Sequence, residues 1–456
     1  MGFNPFGFHL TSVLIHIVNA LILYVIVLGL SASLGLAFFT ALIFSVHPLL
    51  SESVNYISSR SDILLGLFLL LSLFFYARIQ GRLLRSRYFY ISIICFVAAL
   101  LSKESALVFP LFLLVYAIVL DKGKKNNLAY FLVSLIYILV RVVVSFKFKY
   151  VGHYFPVFSL ALTDIKVIAQ YASLIFYPFS LHKNWLLPLV TSLKDSGFIL
   201  SFLACAGMVI LAIRWFKKNK LFSFGLFWFF IFIIPSLNII LLPLLNIPPA
   251  LGKAIISEAW AYLAVMGMIL AVCSFLLKAA VYRNAKLIVY IVLILVACFF
   301  SGLTVKRNEL WAGNPVNFYK DLLWYHPANA SIHYNLANAY FQQDLCGEAI
   351  KEYQTVVFLN PAHLYARNNL CNAYVKCSKF DQAVSACEEL IKINPYIFKA
   401  YYNLGAAYFN QGEYAKAIVA YEKAVTLRPD FKEAAEALEL VKQKIKSGEK
   451  GRREKD

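Results

Sequence analysis

The chain has 456 residues, 61% of them hydrophobic and 15% charged, with a net charge of +19. That is too apolar and too sparsely charged for a soluble globular chain. The excess of Lys and Arg does not indicate a nucleic-acid partner, because most of it lies in short loops beside apolar runs, where it holds cytoplasmic helix ends. Several apolar runs exceed the ~17 residues that a helix needs to cross a hydrocarbon core, so the chain reads as a polytopic membrane protein.

The first apolar run starts near Phe8 with no basic segment before it and no small-residue cleavage site after it, unlike a signal peptide. Hydropathy predicts ten spanning helices, at 8–30, 32–47, 62–79, 88–102, 105–120, 128–146, 198–215, 221–242, 259–278 and 287–305. Four loops are basic: Arg78, Arg82, Arg85 and Arg87; Lys122, Lys124 and Lys125; Arg214, Lys217, Lys218 and Lys220; Lys278, Arg283 and Lys286. The positive-inside rule puts all four in the cytoplasm. Ten spans then alternate without conflict, and both chain ends fall on the outer side. Residues 165–181 do not fit that alternation. They are predicted as a re-entrant or surface-lying helix capped by Thr163 or Asp164 and disturbed by Pro178, with an eleventh span as the alternative.

The outer loops collect the ionisable groups: His47, Glu52, Arg60 and Asp62; Lys103 and Glu104; His182, Lys183, Asn184 and Trp185; and Glu258. Such groups at membrane depth are costly and mark functional sites. A single Lys or Arg at a helix end often only snorkels to the headgroups. Here acids and bases recur together in three loops on one side, which points to chemistry.

Cys95, Cys205, Cys273 and Cys298 lie in apolar runs and read as small hydrophobes. Cys346, Cys371, Cys377 and Cys387 lie in the polar C-terminal part, without zinc-type CxxC spacing. Disulfides among them require that this part face an oxidising compartment.

After Val305 the character changes. Pro327, Pro361, Pro395 and Pro429 are 34 residues apart, as are Asn335, Asn369 and Asn403, then Tyr340, Tyr374 and Tyr408, then Ala349, Ala383 and Ala417. This period with its Leu, small residue, Tyr, Ala and closing Pro is the tetratricopeptide signature. Three repeats are predicted at 330–363, 364–397 and 398–431. A linker and partial repeat precede them over 306–329, and a capping helix and charged tail follow over 432–456. The fold class is therefore all-α: a transmembrane helical domain over 1–305 and a C-terminal α-solenoid. The Asn column sits on the first helix of each repeat, where three amides would line the concave face and bond a peptide backbone. Asn335, Asn369 and Asn403 are the candidate peptide-binding residues, and an extended polypeptide is the candidate partner.

"NPFGFHLTSVLIHIVNALILY", "ALIFSVHPLLSESVNYISSRSDILLGLFLLLSLFFY" and "LLSKESALVFPLFLLVYAIVLD", followed by the repeats, resemble the TMTC family of transmembrane and tetratricopeptide-repeat proteins and its bacterial relatives. The pattern is His47, Pro48, Glu52 and Val54, then Arg60 and Asp62, then the Lys103–Glu104 pair. That family is similar to GT-C glycosyltransferases of the protein O-mannosyltransferase kind. The resemblance implies transfer of a hexose, mannose or another, from a polyprenyl-phosphate carrier to a Ser or Thr hydroxyl on the outer face of the membrane. A lipid-phosphate leaving group needs cationic stabilisation, for which Arg60 and Lys103 are the candidates, with His47 and Glu258 also at the donor site. An acceptor hydroxyl needs a carboxylate, which Glu52, Asp62 and Glu104 supply or orient. His47 is also open to a metal role, and a divalent metal is left open as cofactor. The repeats would present the polypeptide acceptor.

The chain departs from the family pattern in three places. The family opens with a further membrane helix and an acidic outer loop, so an earlier helix is expected before "MGFNPFGF". The family's "ERYLYLP" stands here as "EAWAYLA", with Ala259 in place of an Arg beside Glu258 and Tyr262. In "HKNW", Asn184 replaces an Asp. The competing reading is a non-catalytic membrane-anchored scaffold for envelope or secretory assembly. A transporter would carry ionisable groups mid-span, where Arg141 is the clearest candidate. The expected location is a bacterial inner membrane, with the repeats outside the cytoplasm.

Overall fold

The structure is a computed structural model that describes residues 6–56, 59–79, 86–120, 127–145, 156–179, 181, 185–238 and 253–453. The chain divides into two compact units, Met1–Ala312 and Gly313–Asp456. His182, Lys183 and Asn184 lie outside the described residues, as do Arg82, Arg85, Lys122, Lys124 and Lys125.

In the first unit each of the ten predicted runs falls on a helix. These are α1 (Phe6–Ser31), α2 (Leu34–Val46), α4 (Arg60–Ala77), α5 (Arg87–Ser102), α6 (Phe109–Val119), α7 (Leu128–Ser145), α9 (Ser196–Arg214), α10 (Lys220–Ile233), α11 (Tyr262–Ala279) and α12 (Arg283–Ala312). After α2 the chain bends by 51° into the short 3-10 turn Pro48–Leu50 and helix α3 (Ser51–Asn55). Among the described residues six helices are long and apolar enough to cross a membrane, or seven if α2 and its bent continuation form one span.

Two boundaries differ from expectation. The run expected at 165–181 is α8 (Val157–Phe176), a 20-residue helix whose length and apolarity suffice for a crossing. Thr163 and Asp164 do not cap it. They lie inside the helix and bind loops: Thr163 Oγ1 accepts from the Val190 N–H at 2.8 Å, and Asp164 Oδ1 accepts from the Asn238 N–H at 2.8 Å. The helix ends two residues before Pro178, which cannot continue it. The second difference is α12, which runs seven residues beyond Val305, where a linker was expected. The polar turn in "KRNELWA" marks a change of surroundings, but its residues still favour helix. Among the described residues the all-α expectation holds apart from one two-stranded antiparallel ladder, β1 (Trp185–Pro188) with β2 (Lys253–Ile256), in register from Trp185 opposite Ile256 to Pro188 opposite Lys253.

Small and hydroxylated residues bring the membrane helices together, as expected where no hydrophobic effect distinguishes helix from lipid. At the crossing of α10 and α11 a Cβ on Gly225 would stand 2.5 Å from the Gly267 carbonyl oxygen, and one on Gly267 would stand 2.7 Å from that of Gly225. Only glycines allow this backbone contact. Between α4 and α5, Ser72 Oγ donates to the Ser92 carbonyl at 2.8 Å and Ser92 Oγ to the Ser72 carbonyl at 2.7 Å.

The second unit is the helical repeat array. Helix α13 (Pro315–Tyr325) precedes three helix pairs: α14 (Ala330–Gln342) with α15 (Cys346–Leu359), α16 (Leu364–Lys376) with α17 (Phe380–Ile393), and α18 (Phe398–Asn410) with α19 (Tyr414–Leu427). Helix α20 (Lys432–Arg453) covers the last pair. Ala349, Ala383 and Ala417 are fully buried, and Gly405 lies where a Cβ would meet the Tyr421 ring at 2.8 Å. The turns within the pairs repeat one left-handed residue, Asp344 at φ 60°, Ser378 at φ 58° and Gly412 at φ 82°. Two disulfides staple the first two pairs: Cys346–Cys377, Cα atoms 5.9 Å apart, and Cys371–Cys387, 5.4 Å apart.

Candidate functional site

Three of the seven acid, base and donor-site candidates in the membrane unit converge on one cavity of about 180 Å³. Asp62 in the first turn of α4 meets Lys103, the residue that ends α5, with Nζ 2.6 Å from Oδ1. Glu104 follows in the 3-10 turn Glu104–Val108, and Ser105 and Trp260 complete the polar wall with Tyr262 at the start of α11. Leu65, Leu107, Phe232 and Leu263 form the apolar wall. The Asp62 side chain is 7% exposed and that of Lys103 20%, so this pair is largely removed from water. A charge pair there interacts more strongly than one at the surface. Glu104 is more open and lies 3.6 Å from the Arg141 guanidinium of α7. Arg141, the mid-span candidate for a transporter, is thus the partner of Glu104.

The other four candidates are built into the frame beside the cavity. Glu52 is buried, and its carboxylate accepts from the Ala259 N–H at 3.2 Å and the Ser257 hydroxyl at 3.4 Å. Glu258 is buried against Arg307 of α12, whose Nη2 lies 2.5 Å from Oε2. Next to Arg307, Asn308 Oδ1 accepts from Asn55 Nδ2 of α3 at 2.6 Å. Together these contacts close a ring from α3 through Ser257–Ala259 to α12 and back. His47 caps the Pro48–Leu50 turn: its Nδ1 accepts from the Leu49 N–H at 3.2 Å, and its Nε2 donates to the Ile175 carbonyl at 2.9 Å. Both ring nitrogens are engaged in these structural contacts. Among the described residues no three metal-ligating side chains gather. Arg60 turns to α1, donating to the Phe8 carbonyl at 3.2 Å with its guanidinium 5.1 Å from the Phe8 ring centre.

The three repeat asparagines occupy three different environments. Asn335 is exposed. Asn369 is half-buried and donates to Asn338 Oδ1 and the Tyr334 hydroxyl, both at 3.2 Å. Asn403 is buried. Asn338 Oδ1 also accepts from the Tyr353 hydroxyl at 2.6 Å, and burial pushes the Tyr353 phenol up to about 12. One sequence column therefore does not give three equivalent free amides. A depression of about 800 Å³ opens instead on the third pair, between Tyr401, Leu404 and Tyr408 of α18 and Lys416, Val419 and Lys423 of α19.

Comparison with known proteins bears on both units. The tetratricopeptide repeat model matches residues 398–431, and a TPR repeat model matches 371–412. Protein O-mannosyl-transferase TMTC1 of Homo sapiens is 26% identical over 408 residues, covering 76% of this chain and 45% of that protein. The two-part architecture and a relative covering most of the chain agree. The chain is similar to the TMTC proteins and contains TPR repeats. TMTC1 of Mus musculus is 41% identical over 78 residues, 17% of this chain and 8% of that protein. The TMTC-like chain spans less than half the length of the human relative it matches. Among solved structures, MamA protein is 30% identical with a TM-score of 0.27, covering 28% of this chain and 70% of that one. The first TPR of Spaghetti bound to an HSP90 peptide is 30% identical with a TM-score of 0.25, covering 25% and 92%.

Sequence reading of the TMTC-like chain missed Arg307, because it lies in the segment read as linker. It also missed His16 and Asn19 of α1, whose signal was available: two polar side chains inside an apolar helix. Trp260 gave no signal, being one more aromatic in an aromatic-rich chain.

Proposed function

We propose that the TMTC-like chain is a membrane glycosyltransferase that moves a hexose from a polyprenyl-phosphate donor to a Ser or Thr hydroxyl on the extracytoplasmic face. The single observation that carries this reading is the Asp62–Lys103–Glu104 cluster at a cavity between apolar helices. The cavity, of about 180 Å³, sets that charged cluster against Leu65, Leu107, Phe232 and Leu263, a charged edge on an apolar pocket. Lys103 is positioned to face developing phosphate charge. A carboxylate, Asp62 or Glu104, is positioned to take the acceptor proton. In the step, the bond from the anomeric carbon to the phosphate oxygen breaks and its electron pair leaves on the polyprenyl phosphate. The acceptor oxygen bonds to that carbon, and its proton passes to the carboxylate.

The disulfides Cys346–Cys377 and Cys371–Cys387 support placing the repeats outside the cytoplasm, since such bonds persist in oxidising compartments. The depression lined by Tyr401 and Tyr408 is the proposed seat of the polypeptide. The relatives' name, protein O-mannosyl-transferase, makes mannose the first sugar to try. The test is transfer from polyprenyl-phosphate mannose to a Ser/Thr-rich peptide by the purified full chain in lipid vesicles. Transfer that falls about 10²–10⁴-fold in Lys103→Met supports the reading. No transfer from any hexose donor, with peptide binding intact, would leave a scaffold instead.

A further inference from the structure

We propose that His16 and Asn19, in the first membrane helix, are positioning residues that hold Tyr262 and the Asp62 end of α4 in the cavity wall. The proposal rests on the transferase reading for its catalytic consequence, but its geometry stands apart from it. Both residues are buried, at 7% and 0% exposure, within a helix apolar and long enough to cross a membrane. His16 Nε2 lies 3.1 Å from the Ser45 carbonyl oxygen, which can only accept. The Nε2 atom therefore carries the proton, and Nδ1 is left as an acceptor. Nδ1 lies 2.8 Å from the Tyr262 hydroxyl, so Tyr262 donates to His16. Asn19 Nδ2 lies 2.9 Å from the same hydroxyl and 2.9 Å from the Ile63 carbonyl, and its two hydrogens serve one each.

Every proton in this chain has a single direction, so the Tyr262 ring is held at its hydroxyl by two side chains of α1. The same amide ties down the peptide next to Asp62. Tyr262 and Asp62 both line the cavity. Space for the arrangement is reserved on α4: a Cβ at Gly66 would stand 2.6 Å from Tyr262 Cε1 and 3.2 Å from Asn19 Nδ2. Among the described residues Asn19 Oδ1 is buried with no hydrogen-bond partner, a cost that packing alone would avoid with an apolar side chain. The amide is retained for where its two N–H groups point.

The test uses the full chain in lipid vesicles with His16→Phe, His16→Gln and Tyr262→Phe, and two readouts. The first is sugar transfer. His16→Phe and Tyr262→Phe should each lower kcat about ten- to a hundredfold, as small misplacements do, and their double variant should be no slower than the worse single. His16→Gln, which can donate to Ser45 and accept from Tyr262, should recover much of the rate. The second readout needs no activity. Ser105→Cys in the cavity wall is labelled with a small water-soluble methanethiosulfonate, and the rate is followed by mass at that position. His16→Phe should change that rate several-fold, and His16→Gln should restore it. An unchanged labelling rate in a folded His16→Phe protein overturns the proposal, as does full additivity of the two single losses in kcat. Altered labelling in a protein whose wild type transfers no sugar sinks the transferase reading and leaves the positioning role standing.

Discussion

The membrane unit and the repeat unit use polar groups in opposite ways. In the membrane unit the decisive contacts join residues far apart in sequence: Asn55 to Asn308 across 253 positions, Asn19 to Tyr262 across 243 and Ser257 to Glu52 across 205. In the repeat unit they join neighbouring helices: Asn369 to Asn338 across 31 positions and Tyr353 to Asn338 across 15. A lipid-embedded bundle gains little from burying apolar surface and relies on specific polar and close-packed contacts. A solenoid is a sum of nearest-neighbour interfaces. Damage should therefore spread in the first unit and stay local in the second.

The largest stability effect should come from Arg307. Its guanidinium pairs with the fully buried Glu258 carboxylate, and removing one member of such a pair costs about 3–5 kcal/mol. Arg307→Met should lower the unfolding midpoint of the membrane unit in detergent, and adding Glu258→Met should return much of the loss. A mild single variant would break the contrast, since it would mean that the long-range ring carries little.

Next comes the staple in the repeats. Cys346 and Cys377 are 31 residues apart, and opening a loop of that size costs about 3–4 kcal/mol on the chain-entropy estimate. The double Ser variant should melt earlier in the repeats alone, with the membrane unit's own transition unmoved. A smaller and graded effect is expected along the Asn column. Asn403→Ala removes a buried amide and should cost about 1–2 kcal/mol, whereas exposed Asn335→Ala should stay within about 0.5 kcal/mol. Equal costs would show the three sites to be equivalent after all. The smallest effect is a gain. Ser378 holds φ 58°, where glycine carries no steric penalty. Ser378→Gly should stabilise the repeats by about 1 kcal/mol in a denaturant titration.

The same contrast explains what could be read from the chain alone. The repeats were legible because each repeat's contacts recur every 34 residues, so Pro327 to Pro429 and Tyr340 to Tyr408 announce them. The membrane helices were legible from hydropathy. Which loop residues meet was not, because nothing local to Asp62 says that Lys103 will reach it while Arg60 turns to Phe8. Glu52 and Asp62 are close in sequence and similar in type, yet one ties Ser257 and Ala259 and the other lines a cavity. Arg307 was hidden because a drop in hydropathy after Val305 marked a change of surroundings and not the end of α12.

The most direct test compares those two carboxylates in one transfer assay, Glu52→Gln against Asp62→Asn, each scaled to folded protein. With Asp62 at the chemistry and Glu52 in the frame, Asp62→Asn should lower kcat about 10²-fold or more. Glu52→Gln should lower the unfolding midpoint and keep kcat within a few-fold. Loss of kcat in a stable Glu52→Gln protein, with Asp62→Asn near full rate, would contradict the assignment and move the site to the Ser257–Ala259 ring.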